Sequence, residues 1–167
     1  ASVVLGFVGA DEQGLSGIEQ HYDNDLTGIA GRVVAAKNAA GADMRFTYEK
    51  VENAIKGTSL VLTLDSYIQY TAEKYLETAI EQNQIAERGA AVVMNVNTGA
   101  VLAMATMPDY DLNNPAVITD KATLKELKKI KDKEEYAKAY NEKVYMMWRN
   151  KVVSDTYEPG SVFKIFT

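Results

Sequence analysis

Ser161 and Lys164 are the residues whose types and spacing could do chemistry without a cofactor. Pro159-Gly160 breaks the chain just before them, so Ser161 can begin a helix as a cap or first-turn residue. Lys164 follows three residues later and projects from the same helical face, one turn away. A serine hydroxyl is a poor nucleophile at neutral pH and needs a base within hydrogen-bond reach. Lysine can be that base when its amine is neutral, which requires desolvation or a neighbouring cation. A helix N-terminus adds unpaired N–H groups and partial positive charge that favour a developing oxyanion. One turn thus offers nucleophile, base and an oxyanion donor, the parts of an acyl-transfer device.

The bare pair is a weak signal. At average composition it recurs by chance on the order of once in one or two chains of this size. Thr47-x-x-Lys50 and Thr71-x-x-Lys74 repeat a similar spacing and read as ordinary turn and helix surface. The weight comes from the context Tyr157-Glu158-Pro159-Gly160-Ser161-Val162-Phe163-Lys164, in which a chain breaker sets the serine on a helix start.

Composition narrows the alternatives. The chain has 167 residues, 47% hydrophobic and 25% charged, which is globular rather than disordered. A net charge of -5 argues against a general nucleic-acid binder. The absence of cysteine removes thiolate catalysis, disulfides and cysteine-based zinc sites, and the single His21 cannot supply a histidine-rich metal site. No run approaches the roughly 18 apolar residues of a membrane span, and no signal-peptide pattern is visible. The start at Ala1-Ser2-Val3-Val4-Leu5 and the end at Ile165-Phe166-Thr167 both read as cut, so the second half is expected not to fold alone.

The elements that must position the serine can be read in order. Val3 to Val8 reads as a short strand, and Gly14 to Glu19 opens a helical stretch carrying Ile18, Tyr22 and Leu26. Strands are expected at 32–37 and 45–48, around Asn38-Ala39-Ala40-Gly41. Near Ile55-Lys56-Gly57 the character changes and a domain boundary is placed there, giving domains 1–57 and 58–167. Ser59 to Leu64 reads as a strand. Asp65 or Ser66 then caps a long helix, with Gln69 completing a capping box and Ile68, Ala72, Tyr75, Leu76 and Ala79 as its apolar stripe. Ala90 to Val96 and Ala100 to Thr106 form a hairpin about Asn97-Thr98-Gly99, apolar on both faces as if covered by helices. Lys121 to Lys143 reads as one or two charged surface helices with Leu124, Leu127, Tyr136 and Tyr140 as a broken stripe.

These residues resemble the class B penicillin-binding proteins, the monofunctional peptidoglycan transpeptidases. Tyr157 to Lys164 is similar to their active-site signature almost residue for residue. Gly14-Leu15-Ser16-Gly17-Ile18-Glu19 with Tyr22, Leu26 and Gly28 resembles the Gly-rich motif of their N-terminal pedestal domain. Leu62-Thr63-Leu64-Asp65 with Ile68-Gln69 resembles the start of the transpeptidase domain, and Asn97 to Met104 its first hairpin, with Pro108 and Asn113 in the loop after it. The four motifs stand in family order along the whole chain.

The resemblance implies an α+β fold: the C-terminal part of a small pedestal domain, then the first part of a transpeptidase domain whose antiparallel sheet is sandwiched by helices. It implies Ser161 as acylated nucleophile and Lys164 as general base, with no metal or organic cofactor. Stem peptides ending in D-Ala-D-Ala would be the substrate and β-lactams the covalent inhibitors. Membrane glycan polymerase and cell-wall assembly proteins would dock on the pedestal, at the extracytoplasmic face of a membrane reached by an N-terminal anchor. The family completes its site with a Ser-x-Asn motif and a Lys-Thr-Gly or Lys-Ser-Gly strand, and neither occurs in this sequence. The remainder of the same protein is expected to supply them. Where many members read Asn-Arg-Ala, this chain has Arg149-Asn150-Lys151, which leaves the subfamily open. Two other readings share the motifs: a D,D-carboxypeptidase, β-lactamase or β-lactam sensor, and a non-catalytic scaffold segment that binds cell-wall assembly proteins.

Overall fold

The computed structural model describes residues 1–34, 50–85 and 88–166. Helix α1 (Ser2–Leu5) opens the chain, followed by α2 (Gly17–His21) and α3 (Asp23–Leu26), then strands β1 (Arg32–Val34) and β2 (Lys50–Glu52). Helix α4 (Ser66–Gln82) leads into the hairpin β3 (Gly89–Met94) and β4 (Val101–Met107). Helices α5 (Lys121–Leu127), α6 (Lys133–Trp148) and α7 (Lys151–Ser154) follow, and a 3₁₀ helix over Gly160–Phe166 ends the described chain.

The hairpin is the framework. Strands β3 and β4 pair antiparallel from Gly89 opposite Met107 to Met94 opposite Val101, with an irregularity at Val93/Met94. Asn95 closes the turn by accepting from the Gly99 N–H at 2.8 Å, and Gly99 holds a φ of 74°, which a side chain would strain. Helix α4 packs on both strands. Close approach is possible because residue 89 is glycine: a Cβ there would lie 2.7 Å from Ile80 Cδ1 and 3.1 Å from Leu76 Cδ1.

Asp65 is the N-cap of α4, its carboxylate accepting from the backbone N–H groups of Tyr67 and Ile68. The expected capping box does not form. Gln69 instead turns inward, where its amide donates to the Met104 carbonyl at 3.0 Å and accepts from the Met104 N–H at 2.8 Å. A side-chain amide thereby pairs with the outer edge of β4 as a further strand would. The stripe is shifted too: Ile68, Ala72 and Leu76 face inward with Gln69, while Tyr75 and Ala79 are exposed.

Two expected strands are corrected. Residues 3–8 begin as helix α1, with Leu5 N–H bonded to the Ala1 carbonyl. The β-branched run yields to tertiary burial, because Val3 and Phe7, four residues apart, both enter one core. Residues 59–64 are extended without a ladder. Hydrogen bonds tie this stretch and the residue after it to β4, from Thr63 Oγ1 to the Val101 carbonyl and from the Asp65 N–H to the Leu102 carbonyl. Strand β1 begins where expected, but its partner is β2, with Arg32 opposite Glu52; the strand expected at 45–48 lies outside the described residues.

Burial is uneven across the hairpin. Ala103, Ala105 and Thr106 of β4 are buried, whereas Val92, Val93 and Met94 of β3 are exposed, so covering on both sides is not realised for β3. A first core joins Val3, Phe7, Tyr110 and Met147, with Trp148 against it. A second joins Ile118, Leu127 and Val144 with Leu124 and Tyr140, so the charged segment is a pair of helices with a buried seam. Tyr136 stays at its margin, against the ring of Tyr140.

Candidate active site

Residues 155–159 run without regular structure from α7 to the Gly160–Phe166 helix. Gly160 sits at φ 60°, so the reversal after Pro159 uses a left-handed residue that an L side chain would disfavour. Ser161 is the second residue of the helix and Lys164 lies three further on, both exposed. The winding is 3₁₀ rather than the expected α. With three residues per turn, positions i and i+3 eclipse, so Lys164 and Ser161 share one face of the helix. Around them Tyr157, Val162, Ile165 and Phe166 are 71–80% exposed, an apolar display unusual for a finished surface.

The approach to this helix is held by charge. Asp155, its side chain only 12% exposed, lies between Arg88 and Arg149. Arg88 Nη1 donates to Asp155 Oδ2. Arg149 Nη2 is 2.7 Å from Oδ1, an ion pair by distance whose alignment makes no hydrogen bond, so Oδ1 lacks a directed donor. The same Arg149 nitrogen donates to the Ser154 carbonyl at 2.6 Å. Asn150 caps α7 by accepting from the Val152 N–H, and its amide reaches Met104 Sδ in β4.

Beside this group Lys151 donates to the Pro108 carbonyl at 3.3 Å. Burial holds its ammonium below the ordinary lysine range, opposed by the attraction of Asp155. Burial also pushes the Asp109 carboxyl up, helped by the negative charge of Glu73. Sequence reasoning missed Arg88, Asp155 and Lys151. The available signal was an acidic residue followed five positions later by the Gly160 break, among basic residues at 149 and 151. No group of three or more His, Cys, Asp or Glu side chains among the described residues could hold a metal ion.

A helix laid on an antiparallel hairpin, with Tyr157-Glu158-Pro159-Gly160-Ser161-Val162-Phe163-Lys164 at the end of the described chain, matches a known family. Residues 89–167 match the penicillin binding protein transpeptidase domain. Across 166 residues the chain is 36% identical to stage V sporulation protein D of Bacillus subtilis, covering 99% of this chain and 22% of that protein. It is 32% identical to the peptidoglycan D,D-transpeptidase FtsI of Escherichia coli K12, over 96% of this chain and 23% of FtsI. A solved complex of penicillin-binding protein PBP2 with MreC from Helicobacter pylori superposes with a TM-score of 0.62 at 27% identity, covering 99% of this chain and 29% of the matched chain.

The chain carries a fragment of a penicillin-binding protein transpeptidase domain, and the relatives it matches are class B penicillin-binding proteins. It spans 22–24% of the length of three curated relatives that it matches. Among the described residues no helix is long and apolar enough to cross a membrane.

Proposed function

We propose that the protein is a peptidoglycan D,D-transpeptidase that works through a serine acyl-enzyme. The observation that carries this reading is Ser161 one 3₁₀ turn before Lys164, directly after the Pro159-Gly160 reversal. Lys164 Nζ takes the proton of Ser161 Oγ as the hydroxyl attacks the carbonyl of the penultimate D-Ala. The tetrahedral intermediate collapses, the peptide C–N bond breaks, and the terminal D-Ala leaves with a proton on its amine. An acceptor amine on a neighbouring stem peptide then attacks the ester, forming the cross-link and returning the proton to Ser161. A β-lactam enters by the same attack, and its opened ring remains on the serine.

The exposed apolar side chains at 157–166 and along β3 support a further reading: the remainder of the same polypeptide covers them and brings the Ser-x-Asn and Lys-Thr-Gly elements. The 167-residue chain by itself is then inactive. Residues 1–57 belong to the pedestal and 58–167 to the transpeptidase domain, although α1 is seated on Tyr110 and Met147 of the second part. The solved complex of the Helicobacter pylori neighbour with MreC supports docking of a cell-wall assembly protein; docking of a glycan polymerase on the pedestal, at the extracytoplasmic face of the membrane, is a further part of the proposal.

The test offers the intact protein a labelled stem pentapeptide ending in D-Ala-D-Ala with an amine acceptor. Release of D-Ala with a new amide to the acceptor is expected. Release with hydrolysis alone would make it a carboxypeptidase, and no release from protein that still binds the peptide would contradict the reading.

A further inference from the structure

We infer that Asp155, held between Arg88 and Arg149, is a positioning residue that fixes where the Ser161 turn starts. The inference rests on the reading of Ser161 as nucleophile. Three elements meet at this carboxylate: Arg88 immediately precedes β3, Arg149 follows the last residue of α6, and Asp155 follows the last residue of α7. Helix α7 packs on both β3 and β4, so the clamp ties the exit of α7 to the sheet. Among the described residues, no side chain from Thr156 to Ser161 makes an ion pair or hydrogen bond, so Asp155 is the last polar tether before the serine. Pro159 has a fixed φ, so the short stretch from 156 to 160 that leads from Asp155 to the serine has one fewer free dihedral with which to absorb a displacement at its root. A nucleophile misplaced by about 1 Å can lose on the order of a hundredfold in rate.

The role needs the charge and not merely the bulk. Asp155 has low exposure while Arg88 and Arg149 are about half exposed, so the carboxylate is the shared centre and the guanidinia are its solvated arms. Lys151 is the third cation facing Asp155, and Asp109 the other acid near Lys151. Three cations against two acids leave Asp155 well compensated, and Asp155→Asn leaves a surplus of positive charge under the root of the turn.

The test uses the intact protein with Asp155→Asn and, in case that variant fails to fold, Arg88→Gln. Amide hydrogen exchange is followed by peptide, alongside the concentration dependence of acylation by a labelled penicillin. The expected result is exchange over 157–164 faster by about tenfold while β4 and α4 are unchanged. The first-order acylation step should slow by about tenfold with the preceding non-covalent affinity unchanged, and Asp155→Glu should recover most of the rate. Exchange that stays at the wild-type rate over 157–164, or that rises evenly along the chain, overturns the positioning role. So does acylation at the wild-type rate. A wild-type protein that takes no label while exchange responds as expected would remove the nucleophile reading and leave the clamp standing.

Discussion

The core around Phe7 and the turn around Ser161 are opposite kinds of structure. Phe7 meets Tyr110 edge-on at 6.1 Å and Trp148 at 4.8 Å, with Val3 and Met147 buried beside it. Tyr110 donates its hydroxyl to the Ser2 carbonyl from 108 residues away. The 157–166 segment has comparable apolar content, but its side chains are exposed, and its one ring contact among the described residues is Phe163 with Phe166, within itself. The first region is closed by residues of this chain. The second holds Ser161 and Lys164 and leaves its apolar side chains exposed. Under the proposed function, positioning and chemistry are thus separated: the frame is closed where it orients the approach, and open at the turn that carries Ser161.

The largest effect that could break this comparison lies in the open region. Replacing Lys164 by Ala should slow acylation by about 10²–10⁴-fold, and Lys164→Arg should be nearly as damaging, because arginine keeps the charge but cannot accept a proton. An arginine variant within about tenfold of wild type, measured by stopped-flow labelling, would reduce the lysine to electrostatic support. In the closed region Phe7→Ala should cost about 3 kcal/mol in chemical denaturation while leaving the 157–164 exchange pattern intact. A loss below about 1 kcal/mol would mean that α1 is a dispensable attachment rather than part of the core.

Smaller substitutions sharpen the frame. Asp65→Ala should cost about 1 kcal/mol by removing the cap of α4, with Ser66→Ala close to neutral; the reverse order would restore the capping box that the structure does not show. The smallest effect is electrostatic. Asp109 titrates above its ordinary value in the fold, so its contribution favours folding below the ordinary carboxylate range and is lost as pH rises through the raised value. Asp109→Asn should therefore raise Tm at pH 7 and make no difference below about pH 3. An equal rise at both values would point to packing instead of charge.

The hairpin and the Ser-x-x-Lys turn were legible because each carries local punctuation, Gly99 and Pro159-Gly160 acting within a few residues of their own position, whereas 121–143 read only as one or two helices. Helix α1 was not legible. Its residues favour a strand, and only contact with Tyr110, over a hundred positions later, makes Val3 and Phe7 one buried face. Gln69 misled for the same reason, since its spacing from Ser66 fits a capping box while its amide is claimed by Met104. Asp155 stood in plain sight beside the motif, but its partner Arg88 is 67 residues away and no local period connects them.

The central claim is that Ser161 is the nucleophile, and peptide mapping of the intact protein after brief exposure to a labelled penicillin tests it most directly. The account predicts one label per molecule, on the peptide containing Ser161, abolished by Ser161→Ala in protein that still melts cooperatively. A label on any other serine, or one that survives Ser161→Ala, would contradict it.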